Sequence, residues 1–136
     1  MSQENVEVVR QALAEYGLSP TGVEEAARAG LLAADAELDF STLYPDGPII
    51  RGLEAWRGFV DSLPWGRSLK LEPERFFDVD DERVLVFMHA TAEGEGSGVP
   101  VETRTAHEFT VRDEVVVRVK VYANRAEALE AAGLSE

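Results

Sequence analysis

Two side chains in this sequence have proton-transfer chemistry and neighbours suited to a cavity: Asp39, set between Leu38 and Phe40, and His107, in the alternating row Thr103, Thr105, His107 and Phe109. A carboxylate in partly apolar surroundings has its pKa raised toward that of a general base. An imidazole takes or gives a proton near neutral pH. Facing each other across a pocket, the two would form an acid–base pair. The plainer alternatives are a surface aspartate at a strand end and a histidine that is simply hydrogen-bonded.

Other residues would complete such a pocket. Val101 to Tyr122 reads as a hairpin of two strands turning at Asp113-Glu114. With a two-residue turn, Phe109 faces Arg118, His107 faces Lys120 and Thr105 faces Tyr122, which puts Arg118 and Tyr122 on the pocket side. There a guanidinium could orient an oxyanion and a phenol could donate a hydrogen bond, unless Arg118 simply pairs with Asp39. Trp56, Phe59, Val86 and Met88 would supply the apolar body of the pocket. In the same register Val115, Val117, Val119 and Val121, with Leu85 and Phe87, form an apolar row on the opposite face. A row of that kind predicts a homodimer through the sheet face.

The elements that must position these residues follow from periodicity. Val6, Val9, Leu13 and Tyr16 recur at helical spacing, and Ser19-Pro20 restarts the chain as a second helix. Ala36 to Phe40 alternates as a first strand, and Pro45-Asp46-Gly47-Pro48 makes a loop placed to act as a rim. Leu53, Trp56, Phe59, Val60 and Leu63 predict a third helix ending before Pro64. Strands follow at Leu69 to Val79, Val84 to Ala92, Val101 to Arg112 and Val115 to Tyr122. Pro73 requires its strand to lie at an edge or to carry a bulge, since proline has no N–H for the ladder. Asn124 with Glu127 opens a last short helix closed by Gly133. The whole chain, 1–136, reads as a single domain.

Composition excludes several classes of function. Against 13 basic residues stand 26 acidic ones, for a net charge of -13, so the surface repels nucleic-acid phosphates and anionic membranes. Without cysteine there is no disulfide or thiolate chemistry. Asp78, Asp80, Asp81 and Glu82 lack the spacing of a calcium loop, and His89 and His107 alternate to opposite faces, so no metal site and no cofactor are expected. No stretch approaches the roughly 18 apolar residues of a membrane span, and MSQENVEVVR lacks the basic start of a signal peptide, which leads to a cytoplasmic expectation.

The order helix, helix, strand, helix, four strands, short helix resembles the cone-shaped α+β fold of the nuclear-transport-factor-2-like superfamily, a curved, mostly antiparallel sheet wrapped around N-terminal helices. SQENVEVVR, ELDFSTLYPDGPIIRGLEAW and VYANRAEALEAAGL resemble its SnoaL-like branch, related to polyketide cyclases and ketosteroid isomerases. The resemblance implies a pocket between sheet and helices, and commonly a dimer through the sheet. Ketosteroid isomerase uses an aspartate base with a tyrosine and a protonated aspartate as its oxyanion hole. Asp39 is similar in position to that base, His107 falls at the proton-donating aspartate and Phe109 at an aromatic lining position. The oxyanion tyrosine has no match, since Ala12 stands there and Tyr16 lies one turn further on.

Two functions remain open at this level. One is a cofactor-independent isomerase, cyclase or dehydratase acting on a small hydrophobic carbonyl compound through Asp39 and His107. The other is a non-catalytic accessory dimer that holds a hydrophobic molecule.

Overall fold

The computed structural model describes residues 2–15, 25–42, 47–62, 70–93 and 100–134. Tyr16, most of the second helix, the tip of the proline-rich loop and the glycine-rich stretch before Pro100 lie outside them. Helix α1 (Ser2–Glu15) is followed by a helical turn at 25–28, strands β1 (Leu32–Asp39) and β2 (Ile49–Arg51), and helix α2 (Leu53–Ser62). Strands β3 (Lys70–Asp78), β4 (Arg83–Glu93), β5 (Pro100–Arg112) and β6 (Val115–Tyr122) then lead to helix α3 (Arg125–Ala131).

The six strands form one open mixed sheet in the order β2-β1-β6-β5-β4-β3, with only the β1–β6 pairing parallel. This is the α+β architecture expected, with one strand more than the alternation shows: β2 is three residues long, too short to carry a period. Pro73 meets both of its allowed conditions. It lies on edge strand β3, and the register shifts between Pro73 and Arg75. Asn124 caps α3 as its side chain accepts from the Glu127 amide at 3.0 Å.

Helices α1 and α2 pack on one face, called inner here, and α3 packs on the other. The inner core joins Val6 and Val9 of α1 and Trp56 of α2 to Leu38, Val84, Val86, Met88, Phe109, Val119 and Val121 of the sheet. The outer cluster sets Ala128 and Leu129 of α3 on Leu85, Phe87, Ala106 and Tyr122. None of the described helices is long and apolar enough to cross a membrane.

The hairpin turn has two residues, as expected from Asp113-Glu114, and both take left-handed backbone angles, φ 53° and 65°. That is the turn that matches strand twist, but it favours asparagine and glycine. Glu114→Gly is therefore expected to raise the unfolding free energy by about 0.5–1 kcal/mol, read as a higher midpoint in urea at unchanged slope.

Three residues after the turn, the register changes. Arg112 pairs with Val115 and Val111 with Val116, but Thr110 pairs with Arg118, which leaves Val117 as the extra residue of a β-bulge. Because side chains alternate with period two, one inserted residue exchanges the faces of everything beyond it. Phe109 consequently stands beside Val119 and His107 beside Val121, while Thr110 faces Arg118 and Ala106 faces Tyr122. This corrects two expectations. Arg118 and Tyr122 are not on the face of His107, and Val119 and Val121 are buried in the inner core rather than forming a free row with Leu85 and Phe87. The apolar row from which a sheet-face homodimer was inferred is thus divided between the two faces, with Leu85 and Phe87 in the cluster beneath α3.

Candidate functional site

The site takes its geometry from three inward-facing rows. On β5 these are Thr105, His107 and Phe109; on β4, Met88, Val86 and Val84 stand directly opposite them, and Val121 and Val119 flank them on β6. Every facing residue on β4 and β6 is apolar, so His107, 5% exposed, has no charged group beside it in these rows. Desolvation pushes its pKa down to about 4, and the imidazole is neutral at pH 7. Its Nε2 lies 3.3 Å from the Thr105 hydroxyl, while Nδ1 is buried with no hydrogen-bond partner among the described residues. The threonine hydroxyl can donate or accept. Accordingly, Nδ1 is a donor when Thr105 donates to Nε2, and an acceptor when the roles reverse.

Trp56 reaches this face through a glycine. At Gly52, φ is 92°, a conformation that only glycine adopts without strain, and it turns the chain from β2 into α2 while its carbonyl accepts from the Trp56 amide at 3.1 Å. The indole stacks on Phe40, with ring centroids 6.1 Å apart, and Phe40 stacks on Phe59 at 4.8 Å. Trp56 Nε1 is a second buried polar atom with no partner among the described residues. Most buried side-chain donors and acceptors are satisfied by protein or water, so two such atoms in one apolar region stand out from the packed core around them.

Asp39 is elsewhere. Leu38 and Phe40 belong to the inner core, so the residue between them points outward. There Asp39, 2% exposed, accepts from the Ser41 amide at 2.9 Å and hydroxyl at 2.6 Å, and from Arg118 Nη2 at 2.8 Å. Arg118 Nε also donates to Glu37 at 2.8 Å, and Arg51 to the other Glu37 oxygen at 2.9 Å. Burial raises the Asp39 pKa, but the Ser41 hydrogen bonds and the charges of Lys120 and Arg118 outweigh it and hold the carboxyl below its ordinary value. The direction is opposite to that needed for a base near neutral pH. The structure does not bring Asp39 and His107 together, and Arg118 takes the plainer of its two roles.

Of the other expected site residues, Trp56, Phe59, Val86, Met88 and Phe109 gather on the His107 face, Val86 and Met88 being fully buried. Tyr122 lies in the outer cluster, where Lys120 Nζ sits 5.3 Å from its ring centroid. Tyr16 lies outside the described residues. Of the Glu37–Arg118–Asp39–Ser41 chain, the Arg118–Asp39 pair stood among the alternatives, while the parts of Glu37 and Ser41 were missed. Among the described residues no three His, Asp or Glu side chains gather as a metal site.

No protein-family model and no curated protein matches the sequence. Solved structures do match the fold over nearly the whole chain. A protein described as a SnoaL-like polyketide cyclase, from Jannaschia sp. CCS1, superposes with a TM-score of 0.67 at 18% identity, covering 98% of this chain and 94% of that one. An NTF2-like protein from Burkholderia xenovorans LB400 gives 0.65 at 26% identity, covering 96% and 95%. SalBIII, an epoxide hydrolase/cyclase-like enzyme with a role in pyran ring formation in the polyether salinomycin, gives 0.68 at 15% identity, covering 93% and 96%.

Proposed function

We propose, for a chain with the NTF2-like fold of SnoaL-like proteins, that the inner face binds an uncharged, mainly hydrophobic small molecule carrying a carbonyl or hydroxyl oxygen. The observation that carries this reading is the pair of buried, unpartnered polar atoms, His107 Nδ1 and Trp56 Nε1, on one apolar face. The inward residues of β4, β5 and β6 in this region, from Val84 to Met88, Thr105 to Val111 and Val116 to Val121, include no charged side chain. A charged ligand would lose its hydration there without compensation. A neutral carbonyl compound loses little and gains hydrogen bonds from the indole and from the donor tautomer of His107.

A neutral imidazole that donates to a carbonyl oxygen also polarises it, which is the step shared by enolisation and ring-closing chemistry. Binding is the function that the geometry favours, and catalysis would follow only if a base is supplied as well. Titration calorimetry with 2-acetylnaphthalene, an uncharged aryl ketone, tests the reading. Saturable binding is expected, about tenfold weaker in His107→Leu, as the loss of one hydrogen bond implies. Equal affinity in the two proteins, or no saturable heat, would sink the proposal. Exchange of the bound ketone's acetyl hydrogens for deuterium, followed by NMR, separates an enzyme from a binding protein.

A further inference from the structure

The outer face holds a cavity of about 410 Å³ at the junction of α3 with β3, β4 and β5. Around it stand three guanidinium groups, of Arg75, Arg104 and Arg125, and one carboxylate, of Glu74. Three guanidinium groups thus line one cavity in a chain whose net charge is -13. The walls are otherwise apolar, with Phe87 and Leu129 at the base. A volume in this range suits a small organic ligand.

The guanidiniums are held differently. Arg125 is fixed: Nη2 donates to the Met88 carbonyl at 2.9 Å, Nε to the Thr105 carbonyl at 3.3 Å, and the group lies 4.6 Å from the Phe87 ring centroid. Arg104 is loose, 57% exposed, with both its ion pairs, to Glu74 and Glu102, at 3.8 Å, beyond hydrogen-bonding distance. Between them lies the Glu74 carboxylate, bonded to Arg125 and itself 38% exposed, so that water can reach it. The protein's own carboxylate thus shows what the two arginines accept. An arginine with a preset plane binds a carboxylate with little loss of side-chain entropy, and an adjoining apolar surface adds affinity for a hydrophobic body.

We infer that this cavity binds a small organic carboxylate with a flat apolar body, its carboxylate taking the place of Glu74 between Arg104 and Arg125 and its body resting toward Phe87 and Leu129. Glu74 then acts as a built-in competitor. The site is independent of the inner face.

Titration calorimetry with 3-phenylpropionate at low ionic strength tests this on the intact protein. Binding to the wild type is expected, at least fivefold tighter in Glu74→Gln, because the competitor is removed, and at least fivefold weaker in Arg104→Ala. The uncharged isostere 3-phenylpropionamide should not bind. His107→Leu should bind the acid as the wild type does. The inference is overturned if neither wild type nor Glu74→Gln binds the acid, if Glu74→Gln binds it more weakly, if acid and amide bind equally, or if His107→Leu abolishes binding.

Discussion

Arg118→Ala is expected to lower the unfolding free energy by about 3 kcal/mol at pH 7, the range seen when one partner of a buried ion pair is removed. The Asp39 side chain is only 3% exposed, so its charge depends on what surrounds it. Ser41 would still donate two hydrogen bonds, but no guanidinium would balance the carboxylate. Because Arg118 itself is 35% exposed, water partly replaces it, which keeps the cost at the lower end. The double variant Asp39→Asn/Arg118→Ala should recover at least half of the loss, since the orphaned charge is gone. Urea denaturation of the four proteins reads this directly. A single-variant loss below about 1 kcal/mol would show that Asp39 rehydrates instead.

The second large effect is on acid stability. The folded-state pKa of His107 is depressed from 6.5 to about 4, so between those values the unfolded chain binds a proton that the folded chain does not. Stability conferred by the neutral ring is complete above pH 6.5 and falls as pH drops toward 4, by about 3 kcal/mol in total. Asp39 and Glu37 act in a lower window. Their folded pKa values lie below the ordinary values of 3.8 and 4.5, so their contribution is present above those values and is lost only as pH falls further. Denaturation midpoints of wild type and His107→Leu measured from pH 7 to pH 4 should not run parallel, the wild type losing stability and the variant staying nearly flat. Parallel curves would mean that the ring titrates normally and is not sealed among Val86, Val121 and Phe109.

What could be read in advance depended on whether the controlling residue had a distinctive chemistry. Proline lacks an amide proton, so Pro73 announced an edge or a bulge, and both are present. Asn124 announced a helix start because its side chain is the right length to cap. The bulge on β6 had no such mark. Val117 is a valine among valines, and nothing in VVVRVKVY distinguishes the residue that will go unpaired. That one position moved Arg118 and Tyr122 to the outer face and took Val119 and Val121 inside. Asp39 is a different case, since strict alternation with Leu38 and Phe40 already aimed it outward. The placement of His107 beside Thr105 and Phe109 held, because that row lies on β5 and does not depend on the bulge. Arg125 could not have been anticipated. Its bonds to Met88 and Thr105 span 37 and 20 residues, and no local pattern encodes contacts at that distance.

The place of β6 in the sheet also constrains how the protein can be made. Although it is the last of the described strands in sequence, it lies between β1 and β5. Until it is synthesised, the hairpin of β1 with β2 and the meander of β3 to β5 have no strand to join them, and each offers an unpaired edge to other chains. The two parts of the sheet therefore join only once β6 has been made, and a product that stops before Val115 should accumulate as aggregate rather than as a partly folded monomer.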